Sequence, residues 1–166
     1  MQHILKIDLT TNNTEAYRIP ESWEKDFLGG ASLAARLLYD SLTPELDALS
    51  PDAPLLFING PLSGTAGPTV GRFVICGKGA ATGLWAESHI GGFWGPELKQ
   101  AGYDTLIISG ISDNPVYLFI KDDHVELLDA SHLWGNDVLE TKQMLKDELK
   151  LNKIQILCIY IMITGY

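Results

Sequence analysis

Residues 59–95 hold two glycine-rich runs that divide the chain more sharply than anything else in it. The first reads Asn59-Gly60-Pro61-Leu62-Ser63-Gly64-Thr65-Ala66-Gly67-Pro68-Thr69-Val70-Gly71-Arg72. After a short apolar stretch, the second reads Ser88-His89-Ile90-Gly91-Gly92-Phe93-Trp94-Gly95, followed by Pro96. Proline and glycine punctuate turns, so both runs are expected to be loops between regular elements. Glycine also lets main chain approach a bulky ligand, because no Cβ stands in the way. Arg72 closes the first run with a planar fork of donors suited to a phosphate or a polar ring edge. The second run precedes an expected helix start, where unpaired N–H groups collect anions. Two readings stand side by side: a site for a large anionic cofactor, or structural turns. Neither run has the dinucleotide fingerprint or the Gly-Lys-Ser/Thr of the Walker phosphate loop.

Composition narrows the class. The 166 residues suit one domain or two small halves sharing a core, and a hydrophobic fraction of 46% is that of a folded chain. A net charge of −9 supplies no basic face, so nucleic acid is not an expected partner. Cys76 and Cys158 each sit in an apolar run and form no paired-cysteine motif, so they read as buried reduced thiols. This chain is therefore not expected to ligate an iron–sulfur cluster or structural zinc by itself. His3, His89, His124 and His132 lack metal-ligand spacing. With no apolar run of bilayer length and no leader pattern, the expected setting is the cytoplasm, away from membranes.

Periodicity orders the elements. Residues 4–9 alternate as a strand, 10–13 turn, and 14–19 return as a hairpin. Ser22 is the expected cap of a helix beginning near Trp23, with Phe27, Leu28, Ala31, Ala34, Ala35 and Leu38 on one face. Gly29-Gly30 either weakens that helix, by about 1 kcal/mol per glycine, or splits it in two. Residues 54–59, 73–76 and 105–109 read as buried strands, and a short helix starting near Gly92 stops at Gly102. A second hairpin is expected over 116–128, a helix from about Asn136, and a buried strand over 154–159.

Hairpin, helix and strand thus occur twice in order. This predicts an α+β fold built on a duplicated unit. The first repeat is expected over about 1–110 and the second over about 111–159, with the second half incomplete. Residues 160–166 are an apolar, turn-poor tail outside the pattern.

The residues resemble one known family. Gly60-Pro61-Leu62-Ser63-Gly64-Thr65, Pro68-Thr69-Val70-Gly71-Arg72, Gly91-Gly92-Phe93-Trp94-Gly95-Pro96-Glu97-Leu98-Lys99 and Ala101-Gly102-Tyr103-Asp104 are similar, in order, to the N-terminal domain of aldehyde ferredoxin oxidoreductases. Pro115-Val116-Tyr117 and Asp129-Ala130-Ser131-His132-Leu133-Trp134-Gly135 extend the match, which runs from about Leu5 to Ile159. The resemblance implies a duplicated α+β base for a bis-pyranopterin cofactor carrying tungsten or molybdenum beside a four-iron cluster. In the intact enzyme it implies aldehyde oxidation to carboxylic acid with ferredoxin as acceptor. A related tungsten subunit of benzoyl-coenzyme A reductases shares the pattern.

By this similarity Arg72 contacts the pterin or its phosphate, and His89, Ile90, Gly91 and Gly92 line the pterins, partly through main chain. His89 stands where the family often has asparagine, whose carbonyl binds a magnesium ion bridging the phosphates. A backbone role survives that exchange. The cluster cysteines and acid–base groups lie in later family domains, so no catalytic residue is assigned, and this chain alone is expected to be empty and inactive. A free-standing pterin-binding module is the alternative. Surface left bare by absent domains is expected to favour a homo-oligomer. Plainer roles remain for individual residues: Arg72 as a surface ion-pair partner, Phe93 as a core aromatic, Lys78 as a solvated lysine, and the Asp129–His132 run as turn hydrogen bonds.

Overall fold

A computed structural model describes residues 3–122, 124–151 and 153–158. Strand β1 (His3–Asp8) buries Ile4, Leu5 and Ile7, so apolar side chains leave it on both faces. Such a strand belongs in the middle of a covered sheet. It pairs antiparallel with β2 (Asn13–Arg18) and parallel with β6 (Thr105–Ser109), Ile4 facing Thr105. Next to β6 lie β3 (Leu55–Asn59), β4 (Phe73–Lys78) and β5 (Trp85–Ile90), giving the order β2-β1-β6-β3-β4-β5. Helices and strands mix as the α+β expectation requires.

Two layers cover the sheet. On one face, α1 (Glu21–Phe27) and α2 (Gly30–Tyr39) bring Leu33, Ala34 and Leu38 against Ile4, Leu56, Ile58, Val74 and Cys76. Burial raises the Cys76 thiol to about 11, with Glu87 adding to the shift. On the other face, α3 (Trp94–Gln100) and the hairpin β7 (Val116–Lys121) with β8 (His124–Asp129) cover Leu5, Ile7, Phe57, Phe73 and Leu106. The glycine pair after α1 makes two helices, because Leu28 enters the left-handed region at φ 58. Ser22 is not the cap; α1 starts right after Pro20, and no side-chain bond caps it.

Helix α4 (Val138–Leu149) packs Leu145 on Ala130 and Leu133. Tyr117 Oη donates to Glu148 Oε1 at 3.0 Å, and His132 Nε2 lies 2.9 Å from Glu148 Oε2, tying α4 to the hairpin. Burial first, then the Glu148 bond, raises the Tyr117 hydroxyl to about 12. Asp137 caps α4 by accepting from the amides of Leu139 and Glu140, while Glu140 reaches back to the Asp137 amide. Asp137→Ala is expected to cost about 1 kcal/mol, read as a lowered urea midpoint.

Three differences from the sequence reading have physical causes. Strand β5 was not expected, since its side chains are exposed or half-exposed and carry no buried stripe; pairing with β4 alone makes it a strand. No strand forms over 154–158, although Ile154 and Ile156 pack toward α4 and Leu157 toward the main sheet. Apolar side chains suffice to seat that segment, but a strand also needs a neighbouring ladder of backbone groups. Residue 159 lies outside the described residues. Lys78 is not simply solvated: its Nζ donates to the carbonyls of Thr43, Pro44 and Leu46 at 2.8, 3.0 and 2.6 Å. Among the described residues no helix is long and apolar enough to cross a membrane.

Candidate functional site

The β4–β5 ladder brings the two glycine-rich runs together. Phe73 pairs with Ile90 and Val74 with His89, so Arg72 and Gly91 face each other one step past the paired strands. A Cβ built on Gly91 would lie 3.9 Å from Arg72 Nη1, which places the guanidinium stem over this bare stretch of main chain. Just before it, a Cβ on Gly71 would lie 2.8 Å from the carbonyl oxygen of Gly92. Only glycine fits there, because the obstacle is backbone. Arg72 is exposed, and among the described residues no hydrogen bond or ion pair holds its guanidinium.

Alternation along β5 sorts the expected residues. Ile90 leaves the strand on the face of Phe73 and packs against the core cluster of Phe73 and Leu98, while its main chain pairs with Phe73 in the ladder. His89 leaves on the opposite face with its side chain 51% exposed. Its Nε2 lies 3.3 Å from Glu87 Oε1, and Glu87 Oε2 accepts from Trp85 Nε1 at 3.0 Å. The Trp85 bond, followed by the His89 bond, holds the Glu87 carboxyl below its ordinary value. Sequence reasoning passed over Trp85 and Glu87; the period-2 spacing Trp-x-Glu-x-His was the available signal.

The first run is tied to α3 from below. Asn59 Nδ2 donates to the Gly95 carbonyl at 3.0 Å, and Ser63 Oγ donates to Asn59 Oδ1 at 2.8 Å. Lys99 Nζ reaches the Pro61 carbonyl at 3.0 Å and pairs with Asp104 Oδ1 at 3.2 Å. Trp94 is a core residue, its ring 4.7 Å from that of Phe73, whereas Phe93 is 74% exposed and not the core aromatic expected. Helix α3 begins two residues later than Gly92 and carries Glu97 in its first turn, so a phosphate here would rely on Arg72 more than on the helix end. The Asp129 run makes turn bonds, with Ser131 Oγ donating to Asp129 Oδ1 at 2.6 Å.

This surface is an open platform. Two concavities lie elsewhere, one of about 200 Å³ beside Lys6, Asp8 and Glu15 and one of about 590 Å³ beside Asp113 and Trp134. The site therefore has the form of a shelf: exposed strand edge, bare glycine main chain and an exposed arginine that bonds no other described residue.

A model of the family described as aldehyde ferredoxin oxidoreductase, N-terminal domain, matches residues 4–160. This chain belongs to that family. The tungsten-containing aldehyde ferredoxin oxidoreductase of Thermococcus kodakarensis is 42% identical over 152 residues, covering 92% of this chain and 25% of the relative. An aliphatic sulfonate oxidoreductase, WOR-like subunit, of Pyrococcus furiosus is 34% identical over 148 residues, covering 87% of this chain and 23% of the relative. The solved active site complex BamBC of benzoyl coenzyme A reductase with 1,5 dienoyl-CoA is 40% identical with a TM-score of 0.87, covering 89% of this chain and 23% of that one. The fold is thus that of the N-terminal domain of aldehyde ferredoxin oxidoreductases, and this chain spans about a quarter of the length of the curated relatives it matches.

Proposed function

We propose that residues 1–159 form the pterin-supporting base of a tungsten-dependent oxidoreductase that converts aldehydes to carboxylic acids and passes electrons to ferredoxin. The first repeat covers about 1–110 and the second about 111–159. The observation that carries this reading is the unheld Arg72 guanidinium beside the bare main chain of Gly91, with Gly71 pressed on Gly92. A flat, phosphorylated ligand needs such features: room for close approach and a planar cation to meet its charge. Tungsten in the names of the relatives supports a tungstopterin as that ligand.

In this reading Arg72 binds the pterin or its phosphate and fixes its orientation. Gly91 and Gly92 let the pterin lie against main chain, and Ile90 contributes backbone while its side chain stays in the core. The His89 carbonyl would hold a magnesium ion that offsets phosphate charge, and Glu87 steadies the imidazole beside it. When bound, the metal–pterin group supplies two-electron redox chemistry to the intact enzyme; this chain's residues bind, orient and offset charge. A 4Fe-4S cluster held by other domains, a homo-oligomer formed through exposed apolar surface and a cytoplasmic setting belong to the same reading.

Arg72→Ala is expected to weaken binding of a metal-free pyranopterin phosphate by about 10- to 100-fold, because charge-assisted bonds are lost. Equilibrium dialysis measures it. Affinity unchanged by the substitution would remove Arg72 from the site and with it the main support for this function.

A second reading has one observation in its favour. Identity to the BamBC chain is 40%, level with the 39–42% shared with aldehyde oxidoreductases. The parent enzyme would then be a ring-reductase subunit of the benzoyl coenzyme A type. Assaying the enzyme that contains this chain with an aldehyde and, separately, with a dienoyl-CoA separates the two.

A further inference from the structure

Residues 60–72 form a turn with its own closing bonds, Ser63 N to Gly60 O at 3.1 Å and Thr65 N to Leu62 O at 3.1 Å. The side chains of Asn59, Ser63 and Lys99 hold that turn to elements outside it. They join the turn to something else. Asn59 ends β3 fully buried, after Leu56, Phe57 and Ile58, where an apolar residue would continue the pattern. Its amide instead spans two elements, accepting from Ser63 and donating to Gly95 in the first turn of α3. Ser63 is itself 3% exposed, and a polar pair buried this deeply is tolerated only when both members are bonded.

Lys99, one turn further along α3, completes the clamp. Its ammonium meets the carbonyls of Gly60 and Pro61 at 3.4 and 3.0 Å. Its counter-ion Asp104 accepts from the His3 amide at 3.0 Å through the other carboxylate oxygen, which anchors the clamp in β1. The run is thus held near its start by Lys99 and Ser63, and at its far end Gly71 lies so close to the Gly92 carbonyl that no Cβ fits between them. Arg72 is the next residue.

We infer that Asn59, Ser63 and Lys99 are positioning residues for the pterin, holding the glycine-rich run on α3 so that Arg72 stays beside Gly91. This rests on the pterin-supporting reading above. If the run lifts from α3, Gly71 leaves Gly92 and the main chain that carries Arg72 shifts, although every group that touches the ligand is still present. Misplacement of a binding group by even an ångström is enough to lose most of its contribution.

The test uses Ser63→Ala, Lys99→Met and the conservative Lys99→Arg in this chain. Two quantities are measured: affinity for a metal-free pyranopterin phosphate by equilibrium dialysis, and hydrogen exchange of individual amides. Ser63→Ala and Lys99→Met are expected to weaken binding about tenfold, with Lys99→Arg restoring it. Exchange should quicken at Ser63 and Thr65, whose amides donate to Gly60 and Leu62, and stay unchanged in β1 and β6. Wild-type affinity in Ser63→Ala and Lys99→Met overturns the inference while leaving the pterin reading intact. Exchange that also quickens throughout β1 and β6 overturns it too, because the network would then serve global stability only. No binding by the unaltered chain agrees with its expected emptiness; the exchange arm then decides, and Ser63 and Thr65 amides that do not quicken in Ser63→Ala and Lys99→Met overturn the inference.

Discussion

Phe73→Ala should lower the stability of this chain by about 3–5 kcal/mol, out of the roughly 5–15 kcal/mol typical of a domain. Phe73 is 1% exposed and opens β4 at the centre of the lower core cluster. Its ring sits 4.7 Å from Trp94 at an interplanar angle of 41°, and that contact is what seats α3 on the sheet. Alanine removes the buried ring and leaves a cavity. Phe57, 5.8 Å from Trp94, is itself 2% exposed and packed, so it has no freedom to refill the space. Urea denaturation followed by tryptophan fluorescence checks the prediction. A loss below about 1.5 kcal/mol would mean that α3 collapses onto the gap and that the aromatic contact matters little.

Gly95→Ala pits two effects against each other. Inside a helix, alanine is normally favoured over glycine by about 1 kcal/mol. Here the new Cβ would lie 2.7 Å from Asn59 Oδ1 and 3.2 Å from both Cβ and Cδ1 of Phe73. All of these atoms belong to buried side chains, so none can swing aside. Overpacking costs about 1–3 kcal/mol before the Asn59–Gly95 bond is counted, so a net loss of about 2 kcal/mol is expected. Gly60→Ala serves as the control, since its Cβ would meet nothing within 4 Å. Denaturation midpoints of the two variants decide the matter; a stabilised Gly95→Ala would show that α3 can shift. Phe73 and Gly95 touch, so the double variant should not be additive.

The strands that build the middle of the sheet were legible because their residues announce burial. Runs such as Leu55 to Ile58 and Leu106 to Ile108 are apolar on successive positions, as a strand covered on both faces must be. Arg72 and Gly91 were legible as candidates from residue type and family resemblance, and the structure places them side by side. Strand β5 was not legible, since an exposed edge carries no hydrophobic period. Phe93 and Trp94 are adjacent aromatics with equal claim to the core. The phase at which α3 starts packs Trp94 on Phe73 and leaves Phe93 in solvent. Asn59 and Lys99 looked like an ordinary strand end and an ordinary helix lysine.

By itself, the order of residues determined which segments are strands with two covered faces, where glycine interrupts them, and which family the chain resembles. These follow from local chemistry: the period of burial, the freedom of glycine and the rigidity of proline. The tertiary structure alone decided that two loops at one end of the β4–β5 ladder meet at Arg72 and Gly91, and that Asn59, Ser63 and Lys99 bind one of them to α3. Those bonds join residues as far apart as 39 positions, and a hydrogen bond has no signature along the chain until folding brings its donor and acceptor within reach.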